Sequence, residues 1–341
     1  MKVIKIYFTL LLLLVANYLS ASITVKNAQG VDIYYEINDS LNYAMVTKSP
    51  GTSYEGVINI PEAISYNGKQ YAVRIIQDNA FRGCMNLTEV TIPKSITRIG
   101  GHAFKGCYGL RTVNFNAVSC ASACTKQNGK ILSAFEDCKT ISHLNFGGDV
   151  MIIPEYAFWG CEGISEVTIP QHVKEIGGGA FIECASLTTL NFNAQECTSM
   201  SVQDKGRITP AFISTPISNL NFGPFVSVIP DYAFFGCNSL TTVTIPETVT
   251  KIGGGAFLNC KNLTSVIFNA SNCRLAHSVY NDNITPSFNN PAITSVKFGS
   301  QVTNSPSYIF WGCKGITDII FEASIENIGQ GAFFGCTSLR Q

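Results

Sequence analysis

AFRGCMNLTEVTIP at residues 80–93, AFWGCEGISEVTIP at 157–170 and AFFGCNSLTTVTIP at 233–246 are three copies of one phrase. Shorter or more divergent forms recur along the chain, each anchored on a phenylalanine. The anchors are Phe81, Phe104, Phe135, Phe158, Phe181, Phe212, Phe234, Phe257, Phe288, Phe310 and Phe333. A fixed period of about 20 to 50 residues is typical of a solenoid, in which each repeat forms one coil and contacts only its neighbours. The sequence therefore predicts a solenoid of about eleven coils.

The spacing of these anchors reveals a larger period of three coils. Successive anchors are 23, 31, 23, 23, 31, 22, 23, 31, 22 and 23 residues apart, which divides the chain into three-coil cassettes of 76 or 77 residues. Counted from Phe81, the cassettes end at Phe158, Phe234 and Phe310. The long coil of each cassette carries one insert, and the inserts occupy residues 120–131, 197–209 and 273–285. Insertions in a solenoid form loops on one flank, so we expect such loops here.

Each coil contains a short strand and a glycine corner. In LTEVTI at residues 87–92 apolar and polar side chains nearly alternate, which predicts a β-strand with one buried face. Proline cannot donate to a β-ladder, so the prolines that follow three of these segments should end the strands. They are Pro93, Pro170 and Pro246. The glycine runs at 100–101, 177–179 and 253–255 would then allow the left-handed backbone of a tight corner.

Nine of the thirteen cysteines occupy the same position of the repeat. They are Cys84, Cys107, Cys138, Cys161, Cys184, Cys237, Cys260, Cys313 and Cys336. One small apolar side chain per coil favours a buried column of reduced thiols, because in-register side chains point the same way rather than at each other. Export would favour disulfides instead, and Cys120 with Cys124 is the one local candidate pair.

The combined pattern L-x-x-V-x-I-P, I-x-x-I-G and A-F-x-G-C resembles the BspA-like leucine-rich repeat family of bacterial secreted and surface proteins. The resemblance covers roughly residues 76–339. It implies a mainly β leucine-rich-repeat solenoid with 22–23 or 31 residues per coil. The phrases IYYEI at 33–37 and ISYNGKQYAVRII at 64–76 also resemble the N-terminal module of that family, and Asn67-Gly68 predicts a type I′ hairpin.

These segments predict three regions of the chain. Residues 22–74 are expected to form a small N-terminal β cap over the first coil, because terminal repeats need a polar outer face. Residues 75–341 are expected to be the repeats. The last strand stops after Leu339-Arg340-Gln341, whereas it runs for six residues elsewhere, so we expect the last repeat to be incomplete.

The start of the chain has the features of a secretory signal peptide. Lys2 and Lys5 precede an apolar run at residues 6–15, and small residues follow it, so residues 1–21 are predicted to be removed near Ala21. A membrane anchor would need about 18 or more apolar residues. We therefore expect a secreted or cell-surface protein with no membrane span after signal cleavage.

The charge pattern and the histidines argue against several function classes. The net charge is zero and only 13% of residues are charged, so the positive footprint that nucleic-acid binding requires is missing. Catalysis and metal binding need several polar groups that converge. The histidines occupy different positions of the repeat and are predicted to be solvated surface residues: His102, His143, His172 and His277. No catalytic residue, metal ligand or cofactor is predicted, and we do not expect an enzyme.

Three sets of residues are candidates for a binding surface. The outward face of the strands is rich in hydroxyl and amide groups, and its candidates are Thr88, Glu89, Arg111, Asn114, His143 and Glu166. The variable residue of A-F-x-G-C is aromatic once per cassette, as Trp159, Phe235 and Trp311, which could contact a partner or pack on nearby tyrosines. The inserts contribute Lys126, Lys205, Arg207, Arg274 and Tyr280. For the strand face, the alternative is simple solvation.

The resemblance implies adhesin-like attachment to proteins of host or bacterial surfaces. Eleven coils about 4.8 Å apart make a ribbon on the order of 50 Å long, which is too extended and shallow for one catalytic pocket. Two alternatives remain open, namely a structural solenoid without a specific ligand and a glycan-binding solenoid that uses the tryptophans.

Overall fold

The computed structural model describes residues 22–51, 53–204, 206–280 and 282–340. The predicted signal peptide at 1–21 lies outside these ranges. All helical or strand elements within these ranges are β-strands, and the repeats form a solenoid. This confirms the predicted mainly β fold. None of the described segments is a helix of the length and apolarity that crossing a bilayer requires.

Six strands precede the first full coil. They are β1 (Ile23–Lys26), β2 (Asp32–Asn38), β3 (Tyr43–Val46), β4 (Gly56–Asn59), β5 (Ala63–Tyr66) and β6 (Lys69–Ile76). Five of them form a sheet in the order β1-β2-β3-β6-β5. The turn between β5 and β6 has φ angles of 49° at Asn67 and 75° at Gly68, and the two strands are antiparallel, which confirms the predicted hairpin.

Each cassette contributes seven strands in the same order. The first has β7 (Leu87–Ile92), β8 (Arg98–Ile99), β9 (Thr112–Phe115), β10 (Cys124–Gln127), β11 (Lys130–Ser133), β12 (His143–Phe146) and β13 (Ile152–Ile153). The second has β14 (Glu166–Ile169), β15 (Glu175–Ile176), β16 (Thr189–Phe192), β17 (Ser201–Asp204), β18 (Arg207–Pro210), β19 (Asn219–Phe222) and β20 (Val228–Ile229). The third has β21 (Thr242–Ile245), β22 (Lys251–Ile252), β23 (Ser265–Phe268), β24 (His277–Tyr280), β25 (Asn283–Pro286), β26 (Ser295–Phe298) and β27 (Asn304–Ser305). The described residues end after β28 (Asp318–Phe321) and β29 (Asn327–Ile328).

The alternating segments form one face of the solenoid as parallel, in-register strands. Three sheets make up this strand face: β12-β9-β7-β4, β14-β16-β19 and β21-β23-β26-β28. The face is therefore interrupted at boundary 1, between β12 and β14, and at boundary 2, between β19 and β21. It continues across boundary 3, between β26 and β28. On the other side of the coils, the short pairs β13–β15 and β20–β22 still join the cassettes at boundaries 1 and 2.

A proline follows the first strand after each of the two boundaries at which the sheet stops, although β7, which Pro93 follows, still pairs with β4. Within a cassette, the residue after each strand donates its N–H to the preceding coil, as Gly147 does to the carbonyl of Phe115 at 2.9 Å. Pro170 occupies this position at boundary 1 and has no N–H to donate to Phe146. At boundary 3 the position is Glu322, which donates to Phe298 at 3.1 Å. Pro246 is the equivalent residue at boundary 2.

The anchor phenylalanines form a buried column through the coils. Rings of Phe81 and Phe104 stack with centroids 4.8 Å apart, and Phe181 stacks on Phe212 at 4.9 Å. All anchors from Phe81 to Phe310 are fully buried. The column is flanked by the inward leucine, valine and isoleucine side chains of the strands, so each coil buries its apolar face only against its neighbours.

The glycines at the corners are required mainly by close packing between coils. The prediction that they allow a left-handed backbone is therefore correct only in part. Only the third glycine of a run, such as Gly179 with φ of 66°, has a left-handed backbone. The first two glycines have ordinary φ angles, but a Cβ on Gly177 would lie 2.3 Å from the backbone nitrogen of Glu155. A Cβ on Gly178 would lie 2.3 Å from Val202 of the next insert. These positions are glycine because neighbouring coils approach too closely for a side chain.

The cysteines are free and buried in the described chain. Template thiols donate to the anchor phenylalanine carbonyl one coil back, as Cys107 does to Phe81 at 3.1 Å and Cys184 to Phe158 at 3.2 Å. Burial raises the pKa of Cys184 to about 12. This arrangement suits a small apolar side chain with a weak donor.

Candidate binding surfaces

Hydrogen-bonded amides run across the outward strand face within a cassette. The Asn114 amide donates to Glu89 at 2.9 Å, and Asn145 donates to Asn114 at 2.9 Å. The second cassette repeats this ladder with Glu166, Asn191 and Asn221. Glu89 and Asn114 are half-buried, whereas Thr88, Arg111, His143 and Glu166 are exposed.

The inserts, which were predicted only as loops on one flank, are β-hairpins. Strands β10–β11, β17–β18 and β24–β25 pair antiparallel and form hairpins 1, 2 and 3. Two of them are anchored by an aspartate that lies two coils earlier, 47 residues back in the chain. Asp78 accepts hydrogen bonds from Gly101 N and from Thr125 of hairpin 1, and Asp231 does the same with Gly254 and Ser278 of hairpin 3.

The predicted insert residues lie on these hairpins or beside them. Lys126 is on β10 and forms a 2.7 Å ion pair with Glu155 of the next coil. Arg207 and Arg274 are exposed. Tyr280, at the end of β24, is 71% exposed. Lys205 lies outside the described residues.

The aromatic row packs against tyrosines, as the alternative interpretation held. Ring centroids of Trp159 and Tyr156 lie 6.0 Å apart, those of Phe235 and Tyr232 6.1 Å, and those of Trp311 and Tyr308 5.3 Å. Trp159, Phe235 and Trp311 are half-buried. The Trp159 indole also donates to Glu183 at 2.9 Å. These rings are therefore partly structural rather than free surface groups.

The aromatic row adjoins hairpins 1 and 3, and we call the three hairpins together with this row the hairpin flank. Ile131 of hairpin 1 and Trp159 line the same depression of about 240 Å³. Lys126 places its ammonium 6.0 Å from the Tyr156 ring centroid, and His277 of hairpin 3 packs edge-on against Tyr308 at 5.0 Å. Two candidate sets that are separate in the sequence therefore adjoin in space.

Two histidines correct the prediction of solvated surface residues. The His102 side chain is only 15% exposed, and its Nε2 lies 2.7 Å from a carboxylate oxygen of Glu136. His277 is half-buried with its Nδ1 enclosed in protein. His143 and His172 are exposed, as predicted. Among the described residues no three histidine, cysteine or acidic side chains converge to hold a metal ion.

Boundary 1 opens a cleft of about 460 Å³ on the strand face. Two predicted candidates, His143 and Glu166, stand on opposite sides of it, one on β12 and one on β14. Phe146 and Pro170 also line it. The cleft is thus mixed in character, with charged, hydroxyl and amide groups beside an apolar part.

Sequence reasoning missed the residues that connect one coil to the next. Glu155 pairs with Lys126, and Glu183 holds Trp159, although each pair is 24 to 29 residues apart in the chain. Pro170 was predicted only to end its strand. The sequence did contain a signal for these pairs. Residues at equivalent positions of successive coils become neighbours, and the two residues of each pair are nearly one repeat apart.

The chain belongs to the BspA-type leucine-rich repeat family. The family model, described as BspA type leucine rich repeat region (6 copies), matches residues 74–203 and 285–341, which is more than half of the chain. This confirms the resemblance derived from the repeated phrases. No match was found among curated proteins.

Several solved structures are similar to this chain. A leucine-rich repeat protein from Bacteroides ovatus is 24% identical, with a TM-score of 0.43 over 90% of this chain and 79% of that one. A leucine rich cell surface protein from Faecalibacterium prausnitzii is 22% identical, with a TM-score of 0.40 over 93% of both chains. The pneumococcal vaccine antigen PcpA is 14% identical, with a TM-score of 0.34 over 89% of this chain and 88% of that one.

Proposed function

We propose that this protein is a non-enzymatic binding protein of the cell exterior, with adhesin-like attachment to proteins of host or bacterial surfaces. The observation that carries the proposal is the hairpin flank. Three ordered hairpins recur once per cassette, about 14 Å apart at a strand spacing of about 4.8 Å. They present Lys126, Arg207 and Tyr280 to solvent. A partner that contacts all three would bind tightly even if each contact were weak.

The proposal also gives a role to the start of the chain, to the N-terminal strands and to the repeats. The lysines and apolar run at the start support export by a signal peptide at 1–21. Residues 22–74 would act as the β cap of the solenoid, and the pairing of β6 with β8 supports this role because it joins the first sheet to the coils. The repeats at 75–341 would carry the binding surfaces.

Replacing the hairpins tests this function. In one variant the hairpin segment is exchanged for the glycine corner of a short coil, first in one cassette and then in all three. Binding to a panel of purified matrix proteins and glycans should fall modestly after one exchange and be lost after three. The matched control keeps all hairpins and replaces the exposed strand-face residue Thr88 with alanine.

The other outcomes separate the alternatives. Undiminished protein binding after three exchanges would contradict the role of the hairpin flank. Binding to glycans alone, lost on Trp311→Ala, would favour the glycan-binding solenoid. No binding to any member of the panel, by well-folded protein, would favour a structural role.

A further inference from the structure

The amides on the strand face form chains of hydrogen bonds, and one such chain ends at boundary 1. On β12 the Asn145 amide donates to Asn114 of the preceding coil at 2.9 Å. On β14 a second chain begins, because Asn191 donates to Glu166 at 2.6 Å and to Thr168 at 3.2 Å. Boundary 1 therefore separates the last amide of one chain from the first acceptors of the next.

Side chains on both sides of boundary 1 keep unused hydrogen-bonding capacity. In the described part of the chain no group donates to the side-chain carbonyl oxygen of Asn145. The Thr168 hydroxyl accepts one hydrogen bond but donates to no other described residue, and Glu166 has one carboxylate oxygen that these residues leave unused. His143 uses Nδ1 with Ser142 at 2.9 Å, and its Nε2 has no partner among the described residues. Free atoms of four side chains therefore line one cleft.

A sugar hydroxyl complements these atoms, because it donates one hydrogen bond and can accept two. One hydroxyl can accept from Thr168 and donate to Asn145, whereas a peptide N–H only donates and a peptide C=O only accepts. The Thr168 and Glu166 oxygens both contact the same nitrogen of Asn191, so they lie close together. A neighbouring hydroxyl of the same ring can therefore donate to Glu166.

The remainder of the cleft suits the apolar face of a sugar ring. Phe146 and Pro170 line it and are half-buried, so part of their carbon surface can pack against the C–H groups of a pyranose. The volume of about 460 Å³ lies within the usual range for ligand sites, about 300 to 1,000 Å³. Phe135 stacks on Phe158 at 5.3 Å and keeps the coils together beneath the cleft. A ligand would therefore lie across β12 and β14 on the outside of the strand face.

Charge indicates which saccharides the cleft would accept. The Glu166 carboxylate is exposed. In the described structure no cation pairs with it, since the ion pairs nearest in sequence are those of Glu162 and Lys174. This negative charge would repel a carboxylate or sulfate group on a sugar. Neutral saccharides should therefore bind better than sialylated or sulfated ones.

We infer that boundary 1 is a binding site for neutral saccharides. Asn145, Thr168 and Glu166 contact ring hydroxyls, and Phe146 and Pro170 contact the face of the ring. The site lies on the strand face and uses neither the hairpins nor the tryptophans. It therefore goes beyond the protein attachment assigned to the hairpin flank and adds a second class of ligand.

Boundary 2 is the natural comparison within the same chain. Asn221 and Thr244 occupy the positions of Asn145 and Thr168 there. However, Asn219 and Thr242 replace His143 and Glu166, in that order, so the carboxylate and the imidazole are missing. Saccharides should therefore bind more weakly at boundary 2.

The first experiment identifies the saccharide with an array of immobilised neutral, sialylated and sulfated oligosaccharides. The full chain is applied as a multimer on streptavidin, because several linked copies make weak binding detectable. Neutral oligosaccharides should be bound, and their sialylated or sulfated counterparts should not. The neutral oligosaccharide that binds best is then titrated into the single chain by NMR. Its Kd should be on the order of 1 mM, since the site is shallow and offers few contacts.

The second experiment compares two equivalent amides. Asn145→Ala should weaken binding of the selected oligosaccharide about tenfold, because it removes an acceptor for a ring hydroxyl. Asn221→Ala is the matched control and should bind as the parent does. Each change removes one amide bond of 2.9 Å to the preceding coil, so the two variants should be equally stable. Thermal unfolding checks this equality.

Two further variants test the carboxylate. Glu166→Gln keeps a side-chain oxygen but removes the charge, so it should bind the neutral oligosaccharide within about threefold of the parent and also accept its sialylated counterpart. Asn219→His with Thr242→Glu gives boundary 2 the side chains of boundary 1. Added to Asn145→Ala, this pair should restore the lost binding.

Several results would overturn this inference. Binding to no neutral oligosaccharide of the array, or to acidic ones alone, would do so. Equal effects of Asn145→Ala and Asn221→Ala, or loss of saccharide binding on Trp311→Ala, would do so as well. The variant in which all three hairpins are exchanged should still bind the saccharide, so a failed cleft and a failed hairpin flank give different results.

Discussion

At the scale of single residues, the phenylalanine column and the aromatic row differ in burial although both recur in the same phrase. Phe181 is fully buried between Phe158 and Phe212. Phe181→Ala should destabilise the fold by about 3 to 5 kcal/mol, the usual range for emptying a buried aromatic site. Trp159→Ala removes a half-buried ring and one hydrogen bond, and should destabilise by about 1 kcal/mol. Chemical denaturation measures the free energy of unfolding of both variants. Equal losses of stability would contradict the assignment of Phe181 to the core and of Trp159 to the surface.

Glu136 predicts how stability depends on pH. Burial opposes its ionisation, but hydrogen bonds from Lys105 at 2.6 Å and from His102 outweigh burial and lower the pKa of Glu136. A carboxyl whose pKa is lowered on folding stabilises the folded state above its unfolded pKa, and this contribution is lost as the pH falls through the lowered value. Glu136→Gln should therefore be less stable than the parent at about pH 7, and the difference should shrink towards about pH 3.

The control for this prediction is Glu247→Gln, because Glu247 is exposed. Its free energy of unfolding should follow the parent at both pH values. A Glu136→Gln deficit that stays constant or grows on acidification would contradict the role given to the carboxylate.

At this scale the buried core positions could be predicted from the sequence, whereas the environment of His102 could not. Inward positions follow from the alternation in each strand, so the core could be predicted. His102 could not, because its partner Glu136 is 34 residues away on the next coil. Its left-handed backbone, with φ of 57°, occupies a position that is glycine at Gly179 and Gly255. Without knowledge of which residue of the next coil lies beside His102, a solvent-exposed side chain was the simpler expectation.

At the scale of elements, the turn after the anchor phenylalanine carries a buried thiol in nine of the eleven coils. Cys161 and Cys237 are fully buried, and their burial raises the pKa of both thiols well above the ordinary value. Alkylation requires an accessible thiolate. Native protein treated with iodoacetamide should therefore react little, whereas unfolded protein should react at nearly all cysteines. Mass spectrometry counts the modified sites, and several disulfides in freshly folded protein would contradict a column of reduced thiols.

The inserts show a limit of the same kind for elements. Their place on one flank could be predicted from the period, but only in hairpin 1 does the sequence also carry a signal for the hairpin itself. Hairpin 1 turns at Asn128-Gly129, a strong hairpin signal, although hairpin 3 has no such pair in its described residues. Hairpin 1 also has contacts outside the insert, with Gly101 on one side and Tyr156 on the other.

At the scale of the whole molecule, boundaries 1 and 2 are the weak interfaces of the solenoid. Within a cassette, a second kind of backbone hydrogen bond joins the coils in addition to the strand ladder. Each anchor phenylalanine donates its N–H to a carbonyl of the next coil, as Phe158 does to Ala180 at 2.9 Å. Boundary 3 keeps this bond, from Phe288 to Ile309 at 3.2 Å. Phe135 and Phe212, at boundaries 1 and 2, make no such backbone bond within the described chain. At boundaries 1 and 2 the cassettes are therefore joined by fewer backbone hydrogen bonds than the coils inside a cassette.

Stability in a solenoid is approximately a sum of coil terms and nearest-neighbour terms, so weak interfaces should divide unfolding into blocks. Hydrogen exchange in moderate denaturant should show three blocks of amides, with edges between Phe146 and Glu166 and between Phe222 and Thr242. No edge should appear between Phe298 and Asp318, where the ladder continues. Pro170→Glu should merge the first two blocks by restoring the missing donor, while Pro246→Glu should merge the second and third. Loss of protection in a single step, or edges that fall inside a cassette, would contradict the division of the molecule at its prolines.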